Sequence, residues 1–205
     1  VKIDRNGDKV PSLAKEWNIS DEGKRYTFTL RQDVTFHDVS HSGPKDVVYT
    51  FNRIIDGSIE PPHPEYYSPI DKVLASSHNK VIFKLKESNY ELLYNLARGD
   101  SVIVPEGAKN IKQNPVGTGP FKFNSWRRGY SISLAKYDDY YEENLPYLDR
   151  VIFRFISNPT SMINALKSGE IDVIAYGLPP ESARSLQNDD SFKVLDGLTT
   201  TDVVM

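Results

Sequence analysis

Tyr26-Thr-Phe-Thr-Leu-Arg-Gln-Asp-Val-Thr-Phe-His-Asp38 alternates and then turns. Tyr26, Phe28 and Leu30 are apolar or aromatic, while Thr27, Thr29 and Arg31 are polar. A period of two is that of a β-strand, so the first half predicts a strand with one face against a core. From Asp33 to Gly43 the chain is polar and turn-rich. Pro44 suits the start of a helix, because it lacks only an N–H that the first helical turn leaves unpaired. Val47, Val48, Phe51, Ile54 and Ile55 then recur at helical spacing, and Gly57 supplies a stop.

Working outward, Val1-Lys2-Ile3 reads as a strand end entering a turn at Asn6-Gly7-Asp8. Residues 58–69 hold four prolines, which predicts an ordered loop without regular structure. Val81, Phe83 and Leu85 alternate as a second strand. Ser88-Asn-Tyr-Glu91 has the spacing of a capping box ahead of Leu92, Leu93, Leu96 and Ala97, and Gly99 ends that helix. Beyond Pro115, strands are expected at 120–124, 130–136 and 149–156. Asn158 and Pro159 open a helix that turns Met162, Ile163 and Leu166 inward. Gly169 closes it, a strand Ile171–Tyr176 follows, and a short helix starts near Pro179-Pro180-Glu181. This succession predicts a mixed α/β (α+β) chain. Its boundary falls near Asn114, with a small α+β subdomain over 1–114 and part of an α/β lobe over 115–205.

The 205 residues are 39% hydrophobic, enough for one large domain or two small ones. The net charge of −3 offers no electrostatic attraction for nucleic acid or an anionic membrane. No apolar run approaches the ~20 residues that span a bilayer. Cysteine is absent, which excludes disulfides, thiolate metal sites and a cysteine nucleophile. Val1 is not a natural start, and Thr201-Asp-Val-Val-Met205 begins an apolar run, so a longer parent chain is expected.

No constellation of residues is built like a catalytic centre. His37 and His41 are four apart, but Gly43-Pro44 nearby makes their segment a loop, and four histidines in all make a dense metal site unexpected. Pro120 lacks the N–H that a phosphate loop at Gly117-Thr-Gly119 would need, so those glycines read as a tight turn or a backbone conformation that a side chain would forbid. Asp138-Asp139 and Glu142-Glu143 read as solvated surface, and no Gly-x-Ser-x-Gly elbow exists. Tyr66 and Tyr67, bracketed by His63 and Ser68, either wall a binding cleft or pack beneath their loop. Arg98 and Asp100 offer opposite charges suited to a zwitterionic ligand. Trp126-Arg127-Arg128 lies at a strand-to-turn junction, where arginines either grip a ligand carboxylate or form a solvated turn.

Taken in order, the motifs resemble one family. They are Pro11-Ser-Leu-Ala-Lys-Glu-Trp17, Ser20-Asp-Glu-Gly23, Tyr26 to Arg31, Val34-Thr-Phe-His-Asp38 and Lys45-Asp-Val-Val-Tyr-Thr-Phe51. Pro115-Val-Gly-Thr-Gly-Pro-Phe121, Tyr137-Asp-Asp-Tyr-Tyr141, Pro146-Tyr-Leu-Asp149 and Ser168-Gly-Glu-Ile-Asp-Val173 continue the series. The chain is similar to the family 5 extracellular solute-binding proteins of bacterial peptide and nickel ABC importers. It departs at Val39, where the family usually has glycine.

The resemblance implies a periplasmic-binding-protein-like II lobe with an inserted subdomain, without the extreme N-terminus and second lobe, ending near the hinge. It implies peptide capture by a clamp and delivery to a membrane permease, with no catalysis, cofactor or metal. A nickel chelate, haem or another solute remains an alternative, as does the ligand-sensing domain of a transcription regulator. A periplasmic monomer is expected, or a lipid-anchored extracellular one. The cleft-facing regions are, by resemblance, those around Tyr66, Tyr67 and Arg98 to Asp100; Trp126 and Arg127 are further candidates from their residue types alone.

Overall fold

The computed structural model describes residues 1–4 and 6–195, so the apolar run at Thr201–Met205 lies outside the described residues. The chain divides into two compact units: residues 1–124 with 134–151, and residues 125–133 with 152 onward.

In the first unit, β1 (Lys2–Ile3) and β2 (Lys9–Val10) form a small antiparallel hairpin across the expected turn. Gly7 takes a φ of +87° there, a conformation open to glycine at little steric cost. The core sheet then adds β3 (Ala14–Ser20), β4 (Arg25–Leu30), β5 (Ile70–Ser77) and β6 (Lys80–Leu85), in the order β3-β4-β6-β5. All its neighbours are antiparallel. As the alternation predicts, Tyr26, Phe28 and Leu30 are buried, with Phe28 facing Val81 in register. Two strands carry no such signal. β3 leaves most of its residues exposed, and β5 is broken by register shifts at Ile70/Lys72 and Ala75/Ser77. An edge strand with bulges has no clean period of two to read.

Helix α1 (Pro44–Ile55) packs on this sheet through Val47 and Phe51, with Val48 and Ile54 partly buried. Ile55, expected inward, is exposed because it sits where the apolar stripe rotates out of the contact. The proline-rich loop contains one 3₁₀ turn, Pro64–Tyr66. α2 (Leu92–Leu96) is a single buried turn whose N-cap is Glu91. The expected capping box does not form. Ser88 Oγ donates to the Glu22 carbonyl at 2.6 Å, and Asn89 Oδ1 takes the Glu91 N–H at 2.9 Å. A long-range partner has outcompeted the local one.

Three strands, β7 (Phe121–Arg127), β8 (Ser131–Lys136) and β9 (Arg150–Arg154), form a second sheet in the order β7-β8-β9. In the second unit, α3 (Pro159–Lys167) opens as the sequence predicts, with Asn158 Oδ1 accepting from the Ser161 N–H at 2.9 Å. Its most buried residue is Ala165, while Met162, Ile163 and Leu166 are half-buried. Losing that cap should destabilise the chain: Asn158→Ala is expected to cost about 1 kcal/mol, read as a lowered urea midpoint at unchanged slope. α4 (Pro180–Gln187) follows. The strand expected at Ile171–Tyr176 is not formed, and Val173 and Tyr176 are 73% and 86% exposed. An apolar sequence becomes a strand only with a ladder partner, and none of the described strands pairs with it.

Candidate functional site

The residues that follow α2 and the proline-rich loop meet within the first unit. α2 ends at Leu96 with Ala97 as its C-cap, three residues before the expected stop at Gly99, and the turn beyond it is closed by the Ser101 N–H donating to the Arg98 carbonyl at 3.1 Å. That turn sets Arg98 Nε 3.6 Å from Asp100 Oδ1 and lays the Arg98 guanidinium 4.5 Å from the Tyr66 ring centroid. The His63 ring lies 5.0 Å from the same Tyr66 ring. Tyr66, Arg98 and Asp100 are thus one cluster: an aromatic plate, a cation resting on it, and a carboxylate beside the cation.

Tyr67 is the buried member of the tyrosine pair. It is 2% exposed, packs with Phe51 at 6.1 Å, and sets its hydroxyl 2.8 Å from Ser101 Oγ. Ser101 donates its one proton to the Asn95 carbonyl at 2.7 Å, so Tyr67 is the donor to Ser101. Burial pushes the Tyr67 phenol above its ordinary value. Of the two readings of this tyrosine pair, packing beneath the loop describes Tyr67. Among the described residues neither buried oxygen of Asp100 has a hydrogen-bond partner, and Arg98 Nε stands 3.6 Å from Oδ1.

Trp126 and Arg127 belong to the second unit and form their own stack. Arg128 lies over the Trp126 ring at 5.3 Å, and Arg127 over Tyr130 at 4.2 Å. Arg154, paired with Glu170 at 2.7 Å, takes the same Tyr130 ring at 4.6 Å. Arg127 and Trp126 are both exposed.

An apolar cavity of about 380 Å³ also lies in the first unit, lined by Leu30, Phe51, Phe83, Arg98, Gly117 and Tyr141 among others. His37 stands near it and is no metal ligand, because the backbone of Gly117 and Gly119 holds both ring nitrogens. Among the described residues no three His, Asp or Glu side chains gather as a metal site. The expected steric need for glycine at 117 and 119 is not found: neither has a positive φ, and a Cβ at 119 would meet nothing within 4 Å. Sequence reading missed the contact between His37 and residues 117–119, which are 80 or more positions apart. No local pattern announces such a pair.

Comparison with known proteins follows the same lines. The family described as bacterial extracellular solute-binding proteins, family 5 Middle, matches residues 9–204. The chain is 30% identical to the di/tripeptide-binding protein 1 of Pseudomonas aeruginosa, over 88% of this chain and 39% of that protein. Among solved structures, it is similar to the oligopeptide-binding protein AppA of Bacillus subtilis in complex with a nonapeptide. That likeness has a TM-score of 0.80 at 27% identity, covering 92% of this chain and 39% of AppA. A third likeness, to AgaA of A. tumefaciens R10 in complex with agropinic acid, has a TM-score of 0.84 at 35% identity. It covers 90% of this chain and 38% of AgaA. The chain spans about two fifths of the length of these relatives.

Proposed function

The chain belongs to the bacterial extracellular solute-binding proteins of family 5, and from that membership we propose that it is part of the peptide-capturing component of an ABC importer. Its fold is the mixed α/β, periplasmic-binding-protein-like fold of that family. The observation that carries the reading is the match over nearly the whole chain to proteins whose names and bound ligands are peptides. In this proposal the protein is a binder and not an enzyme. It works outside the cytoplasmic membrane as a monomer and passes its ligand to a membrane permease. Residues 1–114 serve as the small subdomain of lobe one and 115–205 as part of that lobe. Capture works by closure, which the ligand favours because only the closed state touches it from both sides.

Ligand contacts are proposed first at Tyr66, Arg98 and Asp100, and second at Trp126 and Arg127. Tyr67 supports the first group from below, through its hydrogen bond to Ser101. Arg98 carries a guanidinium poised on an aromatic face, suited to a peptide carboxylate or carbonyl. Arg98→Gln should weaken peptide binding by about tenfold or more, measured by titration calorimetry on the intact protein. An unchanged affinity would remove Arg98 from the site.

A native mass spectrum of the intact protein, purified without refolding, tests the substrate class. A ladder of adducts at peptide masses is the expected result. A single sharp adduct at a non-peptide mass would replace peptide by one defined solute. The likeness to an agropinic acid complex makes a small organic acid one such solute.

A further inference from the structure

His37 has no freedom in its tautomer. The Gly117 amide can only donate, so Nδ1, 3.3 Å away, accepts. The Gly119 carbonyl can only accept, so Nε2, 2.9 Å away, carries the ring proton. The backbone N–H of His37 donates in turn to the Gly117 carbonyl at 2.9 Å. Three hydrogen bonds therefore join one residue of the loop after β4 to the segment that leads into β7.

The surroundings stiffen this junction. The His37 ring stands edge-on to Tyr137, with centroids 5.0 Å apart. The Tyr137 hydroxyl donates to the Phe36 carbonyl at 2.6 Å and lies 2.7 Å from Thr35 Oγ1. The Tyr137 N–H reaches the Pro120 carbonyl at 2.9 Å. Two charged side chains act on the ring, Asp38 from its own loop and Lys122 from β7. Gly117, Thr118 and Gly119, the residues held by this junction, also line the apolar cavity.

We propose that His37 is an acid-loosened clasp: a second proton on its ring turns Nδ1 from acceptor into donor and breaks the bond to the Gly117 N–H, while the bonds to the Gly119 and Gly117 carbonyls remain, so the junction opens at the Gly117 amide alone. Two N–H groups would then face each other, and the Gly117 amide would lose its only partner in the junction. Gly117 lines the cavity, so the device would couple acidity to the stability of that part of its wall. It depends on no particular solute, and it stands or falls separately from the peptide-binding reading.

The electrostatics agree with this geometry. Burial is the largest influence on the ring and disfavours its charged form. The Gly119 carbonyl favours that form, Lys122 opposes it and Asp38 favours it, with a net fall below the ordinary value of 6.5. An unfolded chain therefore takes up a proton at His37 at a higher pH than the folded one. The stability that neutral His37 supplies is complete above 6.5, declines as pH falls below that value, and is gone once pH has passed the folded ring's own value.

The test is a histidine-ring NMR titration of the 205-residue chain from about pH 8 to pH 4.5, with amide exchange followed at Gly117 and at Asp56. The Asp56 amide is bonded to the Asn52 carbonyl at 2.8 Å, away from the clasp, so the ratio of the two cancels the intrinsic pH dependence of exchange. The ring should titrate below 6.5, and Gly117 should lose about tenfold in protection relative to Asp56 with the same midpoint. Lys122→Gln leaves the ring's bonds in place and should raise that midpoint. A ring that titrates at or above 6.5, or a Gly117 to Asp56 ratio that stays level through the titration, overturns the proposal.

Discussion

Phe51→Ala is expected to lower the unfolding free energy of the chain by about 3–5 kcal/mol. Phe51 is 2% exposed and stands edge-on to Phe83 at a centroid distance of 4.9 Å, with Tyr67 on its other contact at 6.1 Å. It is the side chain through which α1 meets the sheet and the Tyr67 loop at once. Truncation removes apolar area and two aromatic contacts, and it enlarges a cavity that Phe51 already lines. A domain stable by about 5–15 kcal/mol would keep little margin after that loss. Urea unfolding followed by tyrosine and tryptophan fluorescence measures it. Ile55→Ala, on the exposed side of the same helix, should stay within about 1 kcal/mol of the parent and serves as control. Equal effects at the two positions would mean that α1 does not pack as described.

The second large effect is expected at Asp46. Its Oδ2 accepts the Gly43 N–H at 2.8 Å, which caps α1, and its Oδ1 accepts the Glu106 N–H at 2.8 Å. One buried carboxylate thus fastens the helix start to a loop 60 positions away. Bonds to a charged acceptor are stronger than neutral ones, and removing the carboxylate leaves two donors without it. Asp46→Ala should cost about 2–4 kcal/mol. Asp46→Asn retains one acceptor oxygen and should recover about half of that, because only one of the two N–H groups is left facing an amide nitrogen. If Ala and Asn prove equivalent, the two-handed bond is not what holds Asp46 in place.

Local elements were legible wherever the signal lay within a few residues. The alternation of Tyr26, Phe28 and Leu30, the spacing of Val47 and Phe51, and the Asn158-Pro159 start each name their element without outside help. The failures share one cause. At Ser88 a capping box was expected, and the hydroxyl went to Glu22 instead. At Ile171–Tyr176 an apolar run was expected to be a strand, and no described strand pairs with it. In both cases the outcome depended on a partner distant in the chain, which local spacing does not encode.

The same division runs through the candidate site. Sequence by itself was enough to name the family, because the order of motifs from Pro11 to Val173 is a one-dimensional property. It also named Tyr66, Arg98 and Asp100, which the fold brings into one cluster. Only the tertiary structure separated Tyr66 from its neighbour Tyr67. Adjacent residues in a turn point in different directions, and the direction is set by what each can pack or bond against. Tyr67 found Phe51 and Ser101, while Tyr66 found Arg98. Only the tertiary structure, too, made His37 a tie to Gly117 and Gly119 rather than a metal ligand, since an imidazole takes its role from the donor and acceptor that folding places at its two nitrogens.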